Sequence, residues 1–126
     1  MSRDEGKVET ALRDGVVWVR LDGVVLFQTT LAAMRAAAEA ARSHGTERIV
    51  FDIRSGSYPG FEASALESAR HAANVGLGAA LCIAVLGRPG DPKLEFIESV
   101  AANRGAQVRA FSDEAEAIAW INARRR

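Results

Sequence analysis

Residues 48–53 read RIVFDI, an apolar run that ends in a carboxylate and an isoleucine and passes at once into the polar, glycine-containing segment RSGSYPG at 54–60. This pattern predicts a buried strand whose end opens into a loop. Downstream, Phe61 to Val75 carries Ala65, Leu66, Ala69, Ala72 and Ala73 on one helical stripe, which Gly76 and Gly78 close. A second strand–helix unit starts at Leu81. LCIAVLG is the most hydrophobic stretch of the chain, Asp91 is placed to cap a helix with Pro92 at its first position, and Phe96, Ile97, Val100 and Ala101 are set to face inward before Gly105. Gln107 to Phe111 follows as a last strand, with Ser112 as the expected cap of a helix whose first turn holds Asp113 and Glu114.

Upstream of RIVFDI, Leu31, Met34, Ala38 and Ala41 repeat at helical spacing behind Thr29 or Thr30 as N-cap, and Gly45 stops the helix. Earlier still, Val8, Thr10 and Leu12 alternate with polar neighbours, Asp14-Gly15 supplies a turn, and Val16 to Leu21 is β-branched; together they predict a hairpin. GVVLF at 23–27 reads either as an edge strand or as an apolar entrance to a pocket. The resulting order, ββαβαβαβα, defines an α/β domain over residues 1–126, with a mostly parallel sheet, an antiparallel N-terminal hairpin and helices packed on the sheet.

The chain has 126 residues, 48% of them hydrophobic, enough for one core and too few for a second domain. With 16 basic and 16 acidic residues the net charge is +0, so no long-range field gathers nucleic acid or anionic membrane. Arg124, Arg125 and Arg126 form the one concentrated charge run, read as a solvated tail. A single cysteine, Cys82, permits no internal disulfide, and no His or Cys cluster has metal-ligand spacing. The opening MSRDEGKVET lacks the apolar core of a signal peptide, and no stretch approaches the roughly 20 apolar residues of a membrane span. A cytoplasmic protein without metal or cofactor is expected.

Two segments, RIVFDIRSGSYPG at 48–60 and VRAFSDEAEAIAWI at 108–121, resemble the central strand and loop, and the last strand and C-terminal helix, of the STAS-like family. That family is named for sulphate transporters and anti-sigma factor antagonists; the likeness is strongest to its stand-alone bacterial members, grouped with the stage II sporulation AA proteins. The resemblance implies a regulatory module. In phosphoregulated members the helix after this loop starts with an Asp-Ser-Ser/Thr-Gly-like segment whose hydroxyl accepts phosphate from an anti-sigma kinase. Here the matching positions are Gly60, Phe61, Glu62 and Ala63. The hydroxyl is absent, and Glu62 imitates phosphate only crudely, with one charge and fewer acceptor oxygens. Ser55 and Ser57, upstream in the loop, are read as turn residues rather than phosphorylation sites. Lipid-handling CRAL-TRIO domains are similar in layout, which implies a second possibility, a small apolar ligand.

No catalytic set emerges. Asp52 ends a strand where functional groups of open α/β sheets gather, but His71 is about two and a half turns into the next helix, roughly 15 Å along its axis, and Asp52 is read as a structural carboxylate. His44 suits a helix C-terminus, and Cys82 sits in an apolar strand with no basic neighbour in sequence. Gly87 to Asp91 joins a strand to a helix N-terminus but lacks the glycine spacing and Lys-Ser/Thr of a phosphate loop; it is read as a turn with a cap. Trp18 and Trp120 are read as cover for the sheet or a helix, although large aromatics also anchor partners. In Ser57-Tyr58-Pro59-Gly60-Phe61 an aromatic pair flanks a turn, where it either meets a partner or staples the helix start to the core.

The sequence therefore predicts a non-catalytic regulatory or protein-interaction module whose partner contacts are Arg54, Ser55, Ser57, Tyr58, Phe61 and Glu62. The alternative is binding or carriage of a small apolar ligand such as a lipid, in a pocket between the sheet and helices bearing Leu31, Met34, Leu66 and Phe96. A homodimer through the hairpin edge is a further possibility, because an unpaired strand invites pairing.

Overall fold

In the computed structural model, residues 6–103 and 107–124 are described; residues 1–5, 104–106 (Gly105 among them) and the last two, Arg125 and Arg126, lie outside the described residues. Asp14 and Gly15 both take positive φ, 52° and 78°, the backbone of a type I′ turn whose twist matches the strands it joins. This turn sets the register of β1 (Lys7–Arg13) on β2 (Val16–Asp22), antiparallel from Arg13 opposite Val16 to Lys7 opposite Asp22. The strands β3 (Arg48–Asp52), β4 (Cys82–Leu86) and β5 (Gln107–Phe111) then add in parallel, so that spatial order equals chain order, β1-β2-β3-β4-β5.

That order governs the helices α1 (Phe27–His44), α2 (Phe61–His71), α3 (Pro92–Asn103) and α4 (Glu114–Asn122). Crossovers between parallel neighbours are right-handed, and a sheet that grows in one direction puts all of them on the same face. Accordingly α1, α2 and α3 share a face, with α2 in contact with both others. No described strand follows α4, which packs instead on β3, β4 and β5 from the opposite face. None of the described helices is long and apolar enough to cross a membrane.

The alternation of strand side chains divides the core. Val17, Val19, Ile49, Ile83 and Val85 meet Ala33, Ala37 and Ala41 of α1 on one face; Val50, Cys82, Ala84 and Leu86 meet Ala117 and Ile121 of α4 on the other. Trp18 and Trp120 join this second cluster, Trp120 with its ring 5.8 Å from Phe111 and Arg124 stacked 4.6 Å over it. β1 is one edge of the sheet and β5 the other, and the exposed charges Lys7, Glu9 and Arg13 along β1 disfavour its pairing with another edge.

Local boundaries differ from expectation in four places, each with a physical cause. α1 starts at Phe27, before either threonine: Leu26 is its N-cap in extended backbone, and Thr29 is inside the first turn, where its Oγ1 accepts from the Leu26 N–H at 3.4 Å. α4 is capped by Asp113 rather than Ser112, because the Asp113 carboxylate accepts from the Ala115 and Glu116 N–H groups at 2.8 and 3.4 Å. Leu66 does not join the inward stripe of α2; it is 49% exposed, about 100° around the helix from Ala65. The segment 23–27 is no edge strand: it makes one parallel bridge, with Val25 N–H donating to Ser57 O and Ser57 N–H to Gly23 O, both at 2.8 Å, and it buries Val25. Of the closing glycines, Gly76 ends a short 3₁₀ turn at Ala73–Val75. The Asp113 cap yields a direct check: Asp113→Ala is expected to remove about 1 kcal/mol, a fall of a few degrees in melting temperature by circular dichroism.

Candidate functional site

Asp52 closes β3, and its carboxylate turns the chain that follows. Arg54 donates to it three times, from its backbone N–H (3.1 Å) and Nε (3.0 Å) to Oδ1, and from Nη2 to Oδ2 (2.8 Å). Burial, the largest influence, raises the Asp52 pKa; the hydrogen bonds from Arg54 and the charges of Arg54 and Arg20 outweigh it, and the net shift is downward. Arg54 also lies 3.4 Å from Glu114 at the start of α4, and Arg88 donates from Nε to the Arg54 carbonyl at 2.6 Å. This network pins the root of the loop.

Farther along, Gly56 takes φ 90° with its α-carbon so near the Gly23 carbonyl that a side chain would begin 3.0 Å from that oxygen, a doubly glycine-specific position. Ser57 and Glu62 are exposed; Arg54, Ser55, Tyr58 and Phe61 are partly buried. The Tyr58 ring packs on the core and meets Phe61 edge-on at 6.1 Å, and Phe61 meets Phe96 of α3 at 6.0 Å. Lys93 stands over Tyr58, its Nζ 5.2 Å from the ring centre and 2.9 Å from Asp91.

Behind this aromatic row is a cavity of about 510 Å³ between the sheet and α1, α2 and α3. Its cause is legible in α2, whose inner face is Ser64, Ala65, Ser68 and Ala69, followed by Ala72 at its C-cap, side chains too short to reach Phe51, Ile83 and Val85 on the sheet and Ile53 just after β3. Protein interiors are normally filled to crystal-like density, whereas ligand sites are apolar spaces of this size with a few polar groups. Two of the lining residues, Tyr58 and Ser68, carry such groups: their hydroxyls are out of contact with solvent and have no hydrogen-bond partner among the described residues. Of the residues expected around a pocket, Met34 lines this one; Leu31 and Leu66 do not, and Phe96 lies behind Phe61 in a shallower depression with Glu62 and Lys93. Both hydroxyls escaped the sequence reading; a serine at the centre of an alanine stripe was the available signal.

The other candidates are dispersed. His71 Nε2 is 3.3 Å from Glu67 and its ring packs 5.8 Å from Phe27, while Asp52 is held by Arg54. Cys82 is buried against the α4 side of the sheet, its Sγ 3.6 Å from Gln107 Oε1. Asp91 caps α3, accepting from the Lys93 N–H at 3.0 Å. Among the described residues no three His, Cys, Asp or Glu side chains converge on a metal position.

The architecture is thus that of an α/β domain with an apolar cavity behind a pinned loop. No family model matches the chain, and no curated protein matches its sequence. Solved structures do match its fold. An anti-sigma factor antagonist from Mycobacterium paratuberculosis superposes with a TM-score of 0.60 over 96% of this chain and 97% of that one, at 15% identity. An uncharacterised protein with a SpoIIAA-like fold from Shewanella loihica superposes with a TM-score of 0.61 over 96% of this chain and 98% of that one, at 14% identity. The chain therefore has the SpoIIAA-like, or STAS-like, fold.

Proposed function

We propose that this chain is a non-catalytic regulatory module that acts by binding: the loop from Arg54 to Glu62 meets a protein partner, and the cavity behind it takes a small apolar ligand. The observation that carries the reading is the two-sidedness of that loop. Tyr58 and Phe61 form cavity wall, while Ser57 and Glu62, within the same few residues, face solvent. A molecule that fills the cavity presses on the loop that a partner touches, which couples the two events without covalent chemistry. The absence of a hydroxyl across Gly60, Phe61, Glu62 and Ala63 fits an input other than phosphate at that position. Sharing a fold with an anti-sigma factor antagonist supports a regulatory role. A reducing cytoplasm suits the single buried thiol of Cys82.

A photocrosslinking side chain tests the surface. Placed at Glu62 in cells of the source organism, it is expected to give one discrete protein adduct, and at exposed Glu39 on α1 none. Equal adducts from both positions, or none from either, would overturn the partner surface. The cavity by itself favours a second reading, carriage of a ligand with no partner. Native mass spectrometry against the denatured mass addresses it: a small-molecule adduct lost on denaturation, together with no crosslink at Glu62, selects carriage.

A further inference from the structure

We infer that the cavity selects an uncharged amphiphile, an apolar chain carrying one hydrogen-bonding head such as an alcohol or an ester, over the corresponding carboxylate. The inference rests on the ligand-binding part of the proposed function and specifies its chemistry. Hydroxyls removed from water without a partner are rare in folded proteins because each forfeits its hydrogen bonds to solvent. Of the three buried side-chain polar atoms in that condition among the described residues, two, the oxygens of Tyr58 and Ser68, belong to residues that line this one cavity. The third, on Trp120, belongs to the opposite face of the sheet. Ser68 is 6% exposed, the one buried polar residue of the described chain, and sits on a helix face otherwise made of small side chains. A ligand head that both donates and accepts, or accepts alone, satisfies these oxygens, while Ile53, Ile83, Val85 and Ile97 offer only hydrocarbon to the rest of the molecule.

Charge decides against an anionic head. The carboxylates of Asp52, Asp22 and Asp91 act on Tyr58, and with burial as the leading cause they push its phenol upward, so it stays a neutral donor. Each of these carboxylates already holds a cation: Arg54 on Asp52 at 2.8 Å, Arg20 on Asp22 at 3.1 Å, Lys93 on Asp91 at 2.9 Å. Among the described residues the one basic residue on the cavity lining, Arg70, is largely exposed, lies 3.8 Å from Glu67, and occupies the last turn of α2, where it offsets the negative end of the helix. A carboxylate inside would lose its hydration and gain no unpaired cation.

The test uses lauryl alcohol, methyl laurate and laurate as probes at neutral pH, with affinity and stoichiometry read by isothermal titration calorimetry on the full chain. The expected result is one site per chain and at least about tenfold tighter binding of the alcohol and the ester than of laurate. In Tyr58→Phe/Ser68→Ala, which removes two oxygens and adds no bulk, the alcohol is expected to weaken about tenfold and the preference over laurate to vanish. Laurate binding as tightly as the alcohol in the wild-type chain would overturn the inference and leave the cavity reading standing. Failure of all three probes to bind would overturn both. The wild-type comparison needs no variant, so it decides even where the double substitution alters folding.

Discussion

Leu86→Ala is expected to lower the free energy of unfolding by about 2–5 kcal/mol, measured as a shift in the urea midpoint at unchanged slope. Leu86 is 0% exposed at the end of β4, clasped between β3 and β5 and covered by Ala117 and Ile121 of α4, so its removal leaves a hole that nothing nearby can fill. Met34→Ala on the other face makes the informative contrast. Met34 is almost as buried, 8% exposed, yet it borders the cavity and has fewer partners to lose. Its loss should fall below about 2 kcal/mol, under the usual range for a buried methionine. Equal losses at the two positions would mean that α2 sits down on the sheet in solution and the cavity is closed.

Asp52→Asn should produce the largest effect outside the core, about 2 kcal/mol at pH 7, since the charge-assisted bonds from Arg54 are each worth about 1.5–3 kcal/mol before discounting for the partly exposed guanidinium. Its signature is in the pH dependence. The folded pKa of Asp52 lies below the value of 3.8 for a free side chain. Its stabilisation is therefore fully present above the unfolded pKa and disappears as pH falls through the folded one. The wild-type chain is expected to lose stability steeply below about pH 4, and Asp52→Asn to lose it less steeply. Asp91, which burial raises but Lys93 and Arg88 together bring below its ordinary value, retains part of the slope in the variant. A slope in Asp52→Asn identical to wild type would show that the carboxylate does not hold the loop.

Where chemistry is local, the chain was readable from sequence. Asp14-Gly15 demands positive φ and makes the hairpin; Asp91-Pro92 pairs an acceptor with a ring that fits the first helical position and starts α3; LCIAVLG lies between two strands and buries every residue of β4. Where two local signals compete, the reading slipped by a residue or two. Thr29 and Ser112 are good caps in isolation, but Leu26 takes the extended backbone and Asp113 is the stronger acceptor beside it. The site was the least legible part. Periodicity tells which face of α2 turns inward, but not how far that face stands from the sheet, so an alanine stripe gives no sign that it borders a cavity. Nor does it show that Tyr58, read either as a partner contact or as part of a staple to the core, has its hydroxyl buried.

The match between strand order and chain order has a consequence for biosynthesis. As the polypeptide leaves the ribosome, each new strand has its docking edge already in place, and the layer of α1, α2 and α3 can close in step with translation. The opposite face cannot. Val16, Val50, Cys82, Ala84 and Leu86 wait uncovered until α4 arrives, and for that interval the nascent chain exposes a continuous apolar sheet face. The nine residues of α4 cover that face, which makes α4 the segment where a nonsense or frameshift mutation would leave it bare and turn the product over to chaperones and proteases.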